Sequence, residues 1–74
     1  MSWVQVTHFV RTEKNKEKVR QLIDENQRHW QEVALDIGLD PEKNVAVEDD
    51  GRKVLLYISK DMDLALSEEP GEWK

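Results

Sequence analysis

Between Thr12 and Ile37 the apolar residues Val19, Leu22, Ile23, Trp30, Val33, Ala34 and Ile37 recur every three or four positions, with no glycine or proline among them. That spacing predicts one long helix with an apolar stripe, and a stripe needs a surface to lie on. Val19, Ile23, Asn26, Trp30, Val33 and Ile37 also follow the four-three alternation of a coiled-coil seam with a polar residue in the middle. The series is too short for a stable seam, and Leu22 and Ala34 widen the stripe, so packing on a sheet is expected. After it, Gly38 is placed for a left-handed C-terminal residue, Leu39 to fold back on Ala34, and Pro41 to forbid continuation.

The remaining apolar runs read as strands. Trp3 to Val10 alternates, with Val4, Val6, His8 and Val10 on one face and Trp3, Gln5, Thr7 and Phe9 on the other. His8 then falls on the valine face, where one hydrogen-bond partner would satisfy it at the edge of the core. Asp40-Pro41-Glu42-Lys43-Asn44 reads as a turn, and Val45-Ala46-Val47 as a second strand. Asp50-Gly51 predicts a two-residue hairpin turn into Val54 to Ile58. This register sets Asp49 opposite Arg52, Glu48 opposite Lys53, Val47 opposite Val54 and Val45 opposite Leu56. Val54 to Ile58 is apolar on both faces, as a central strand should be. Beyond Lys60, Met62, Ala65 and Leu66 suit a short helix capped by Ser59 or Asp61, with Asp61 and Asp63 in its first turn.

These elements predict a single α+β domain over residues 1–66, of β-α-β-β order, followed by an acidic segment, 67–74, that Trp73 would have to pin. A helical crossover leaves the first two strands pointing the same way. The apolar third strand fits between them, giving a three-stranded antiparallel sheet in the order 2-3-1 with the long helix across one face. The order of elements from Val4 to about Leu66 resembles the first half of a ferredoxin-like domain, as in small dimeric proteins of the antibiotic-biosynthesis monooxygenase type. The resemblance lies in element order alone; it rests on no shared motif and transfers no site residue.

Charge changes the picture of partners. The net charge is −5, and residues 38–74, with ten Asp/Glu against five Lys/Arg, carry the whole excess. Such a chain suits basic partners better than phosphate backbones, so no direct nucleic-acid binding is expected. No cysteine is present, and no window holds the roughly 20 apolar residues of a membrane span. Nor does a basic region followed by a long apolar run open the sequence, so a cytoplasmic location is expected.

Candidate chemistry is sparse. His8 and His29 lack the spacing of a metal motif, the three glycines sit at turns, and Ala65 and Leu66 break a calcium-loop pattern begun by Asp61 and Asp63. No catalytic residue, metal site or cofactor is therefore expected. Thr12 or Asn15 is placed to cap the long helix. Arg11, Lys14, Lys16 and Lys18 crowd the helix start, where the dipole is positive, and make a candidate anion site. Glu48, Asp49, Asp50, Asp61, Asp63, Glu68, Glu69 and Glu72 form the candidate acidic surface. The sheet face away from the helix, carrying Trp3, Phe9, Leu55, Tyr57 and Ala46, is the candidate interaction surface.

The functional expectation is a small acidic, non-enzymatic protein–protein interaction or regulatory module that self-associates as a homodimer. Two alternatives follow from the same residues. One is an acidic inhibitor that mimics nucleic acid, requiring a continuous carboxylate stripe. The other is a small dimeric ferredoxin-like enzyme or ligand carrier, requiring an enclosed cavity near His8 and Trp30.

Overall fold

The computed structural model describes residues 2–68. Strand β1 (Trp3–Val10) leads into helix α1 (Lys16–Asp36). A one-turn helix α2 (Pro41–Asn44), a hairpin of β2 (Val45–Asp49) and β3 (Lys53–Ser59), and helix α3 (Lys60–Glu68) follow. The sheet order is β1-β3-β2 with both pairings antiparallel, as the apolar third strand predicts. Trp73 and the rest of 69–74 lie outside the described residues.

Helix α1 ends as its sequence dictates. Gly38 adopts φ +81°, its N–H donates to the Leu35 carbonyl at 3.0 Å, and the Leu39 N–H donates to the Ala34 carbonyl at 2.8 Å. The two bonds satisfy the last carbonyls and turn Leu39 onto the core. The start of α1 is built differently from the expected side-chain cap. Asn15 holds the N-cap position without capping. Its Oδ1 instead accepts from the Thr12 N–H at 2.6 Å, its own N–H donates to Thr12 Oγ1, and its Nδ2 donates to the Val10 carbonyl. The side chain is spent fixing the bend between β1 and α1. The expected turn over 40–44 closes into helix because Asp40 accepts from the Glu42 N–H at 2.9 Å and Pro41 needs no donor.

Ser59 joins three elements. Its Oγ accepts from the Met62 N–H, starting α3, and donates to Asn44 Oδ1 at the foot of β2. Met62 is thereby driven into the core with Ala34, Val45, Leu56 and Ile58, ringed by Val4, Val6, Trp30, Val33, Ile37, Leu39 and Leu66. Burial of side chains as large as Leu56, Ile58 and Met62 stabilises by about 1.5–3 kcal/mol each. This core gathers at the C-terminal half of α1. Val19 and Val54, though buried, lie outside the cluster.

Two strand phases differ from the sequence reading. The first is a β-bulge at Val6: Gln5 pairs with Tyr57 and Thr7 with Leu56, so Val6 has no partner of its own. From Thr7 onward the alternation inverts. Phe9 lies opposite buried Val54 on the helix side, while His8 and Val10 turn to the open face. Phe9 therefore leaves the face that Trp3 occupies, and His8 is an exposed residue beside Gln5 Nε2.

The second difference is the hairpin. Val47 pairs with Leu56 and Asp49 with Val54, two residues along from the expected register. The Asp50 N–H donates to the Lys53 carbonyl at 3.1 Å, making Gly51 and Arg52 the two loop residues. Gly51, at φ +94°, takes the first central position, where a positive φ is required. Asp50 Oδ1 selects this tip by accepting from the N–H groups of Arg52 and Lys53. An even shift preserves the faces, so the core side chains remain in the core. The expected pairs Asp49–Arg52 and Glu48–Lys53 do not face each other; Glu48 lies opposite Leu55.

Candidate interaction surfaces

Both α1 and α3 contribute to the core on the same side of the sheet, through Trp30, Val33 and Ala34 and through Met62 and Leu66. The opposite face is uncovered by any described element. Register places Gln5, Tyr57 and Ala46 in one row and His8, Leu55 and Glu48 in the next. Trp3 at one corner is 41% exposed and Val10 at the other 53%. Four of the five expected contact residues, Trp3, Ala46, Leu55 and Tyr57, thus share this face, and Val10 takes the place of Phe9. The sequence held one signal for the exchange. Unbroken alternation puts an imidazole among valines and a phenylalanine in solvent, and a one-residue bulge relieves both.

The second surface lies at the hairpin end, where α1 stands away from β2 and leaves an open groove of about 570 Å³. Ile23, Val47 and Val54 form its apolar lining, and Lys16, Glu17 and Arg20 rise from α1 beside them. Arg11 closes it with a bidentate bridge to Asp49, at 2.9 Å from Nη1 to Oδ1 and 2.7 Å from Nη2 to Oδ2. The two-residue hairpin shift makes this bridge, because it sets Asp49 beside Val54, on the helix side where the chain beyond Phe9 also passes. The candidate anion site is consequently not assembled as expected. Arg11 is engaged by Asp49, Lys16 lines the groove, and Lys14 and Lys18 are exposed without joining them. Arg20, absent from the expected set, is the cation that stands in their place.

The hydrogen bond from Arg11, then the Gly51 N–H, hold the Asp49 carboxyl below its ordinary value; backbone N–H groups of Lys53 and Arg52 do the same for Asp50. The Arg11 guanidinium is raised by the same bridge. Depressed carboxyls add stability above their unfolded pKa and lose it as pH falls through the folded values. The urea midpoint is therefore expected to hold from neutrality to near 3.8, the ordinary carboxyl value, and to fall below it. Asp49→Asn should make that fall shallower; an unchanged profile would show that the bridge adds nothing. With side chains 29% and 43% exposed, the pair is screened and its contribution is small.

The acidic residues do not form one stripe among the described residues. Glu48, Asp49 and Asp50 belong to the hairpin end of β3, whereas Asp61 and Asp63 follow its other end, across a strand of seven residues, or roughly 23 Å. Asp49 and Asp50 are also committed to Arg11 and to the turn. The side chain of Glu68, and all of Glu69 and Glu72, are outside the described residues. His8 and Trp30 lie on opposite sides of the sheet, so no cavity between helix and sheet contains both. Among the described residues no group of three or more His, Asp and Glu is placed to hold a metal ion, and no helix is long and apolar enough to cross a membrane. Comparison with known protein families, with curated proteins and with solved structures finds no match for the chain.

Proposed function

We propose that this protein is a small non-enzymatic interaction module whose open sheet face binds the same face of a second copy. The observation that carries the reading is the open face, where exposed Trp3 and Val10 flank half-buried Leu55, Tyr57 and Ala46 while α1 and α3 both pack on the other side. Apolar groups gathered on one open face of so small a sheet often mark a binding surface. A twofold axis through the face makes the contact self-complementary and closes the assembly at two copies. A face three strands wide falls toward the small end of specific interfaces, so the dimer is concentration-dependent.

The test is mass in solution by light scattering over a concentration series. The parent is expected to approach twice the chain mass, and the double variant Trp3→Glu, Tyr57→Lys to stay at the monomer mass with unchanged circular dichroism. Phe9→Glu is unsuitable here, because Phe9 faces the helix side. A parent that remains monomeric at every concentration would remove self-association.

A further inference from the structure

We propose that the groove between α1 and β2 receives an extended acidic segment of another protein, which pairs with the free edge of β2 as a fourth strand. The site is separate from the open sheet face and does not depend on the dimer.

The backbone supplies the first argument. In an antiparallel pair, residues alternate between bonding the neighbouring strand and turning their N–H and C=O away from it. The bond from the Asp50 N–H to the Lys53 carbonyl fixes the phase: Ala46 and Glu48 bond inward to β3, and Val45, Val47 and Asp49 turn outward. The Val45 N–H is taken by the Pro41 carbonyl. By this phase the N–H and C=O of Val47 and Asp49 point away from β3, and no backbone partner outside the ladder meets them among the described residues. They repeat every second residue, as a fourth strand requires. The other edge of the sheet is less suitable, because β1 carries the bulge at Val6 while β2 pairs regularly throughout.

The side chains supply the second. The residues whose backbone faces the free edge also project to the helix side, so Val47, 36% exposed, and Asp49 line the groove. A strand laid on this edge would send every second side chain into it. The central one would pack beside Val47, at the mouth of a groove whose apolar lining is Ile23, Val47 and Val54.

Charge selects the partner. The chain carries −5, yet its groove presents Lys16 and Arg20. Arg11 and Asp49 neutralise each other. Arg20 has no ion pair among the described residues, and the nearest carboxylate to Lys16 is Glu13, at 3.8 Å with both side chains largely in solvent. Glu17 offsets one of these two cations, leaving the wall positive. Carboxylates on either side of the buried apolar residue would meet that wall. The edge is five residues long, which sets the length of the segment.

The probe is acetyl-Glu-Thr-Val-Thr-Glu-amide, titrated into the full ¹⁵N-labelled chain and followed by amide shifts. Saturable shifts are expected over residues 45–49 and along the groove flank of α1, with the Val47 and Asp49 amides moving downfield and gaining protection from exchange. The same peptide with Lys in place of Glu should bind several-fold more weakly. Arg20→Glu, an exposed substitution, should weaken the acidic peptide to a similar degree. Val47→Pro removes an outward N–H without breaking a bond to β3, and should abolish the edge shifts. The double variant Trp3→Glu, Tyr57→Lys should bind like the parent, so loss of the dimer does not affect this result. No shifts, shifts centred on the open sheet face, or equal responses to the Glu and Lys peptides would each overturn the proposal. So would β2-to-β2 contacts between copies in the peptide-free protein, which would make the occupant a second chain.

Discussion

Leu56→Ala is expected to abolish the cooperative urea transition of this protein near room temperature. Leu56 is fully buried at the centre of β3, packed in the cluster of Ala34, Val45, Ile58 and Met62. Truncating a buried leucine costs about 2–5 kcal/mol, because the lost transfer energy is joined by the cost of a cavity. After the entropy of ordering is offset, the core of a chain this short leaves a net stability of no more than about 3–5 kcal/mol. The substitution therefore removes most of the margin, and far-UV circular dichroism should show a gradual slope in place of a sigmoid. Leu35→Ala is the control: Leu35 is 63% exposed on α1, and its loss should change stability by under about 0.5 kcal/mol. Equal effects of the two substitutions would show that the core is not centred on β3.

The second large effect separates neighbours. Phe9→Ala is expected to cost about 2 kcal/mol, since the ring is half-buried opposite Val54. Val10→Ala should cost under about 0.5 kcal/mol, since Val10 lies on the open face. Both are read from urea midpoints at a concentration low enough to keep the chain monomeric. An unbroken alternation along β1 predicts the reverse order, so a costlier Val10→Ala would remove the bulge at Val6.

What the sequence made legible and what it did not follow from the kind of signal each feature leaves. Helix α1, its termination at Gly38, Leu39 and Pro41, and the placing of β3 between β1 and β2 rest on signals repeated over many residues, and all three are observed. Helix α3 was readable from Ser59, Asp61 and Met62 acting together. The Val6 bulge and the Gly51-Arg52 tip each turn on one residue of strand phase. A valine suits either face of a strand, and Gly51 serves in either central position of a hairpin turn, so local pattern alone does not decide. The candidate surfaces inherit that ambiguity. Alternation alone puts Phe9 on the open face, and the bulge turns it to the helix side. The Arg11–Asp49 bridge joins residues 38 apart and exists only in the shifted hairpin register. Arg20 carries no local signal that separates it from the other cations of α1, and only the fold sets it beside Val47 and Ile23.

The position of β3 between the other strands also governs how the chain behaves while it is being made. β1 and β2 share no pairing with each other; each bonds only to β3. Val4 waits for Ile58, and Trp3 for Ser59. A growing polypeptide that has emerged only through α2 holds an amphipathic helix and an eight-residue apolar strand with no sheet to join. Those surfaces are open to other chains until Lys53–Ser59 arrives, and then the hairpin, the β1 ladder and the α3 cap at Ser59 form around the same seven residues. Assembly of the sheet consequently waits for β3. A pause before Lys53–Ser59 has emerged would prolong exposure, whereas the same pause after it has emerged would meet a completed sheet.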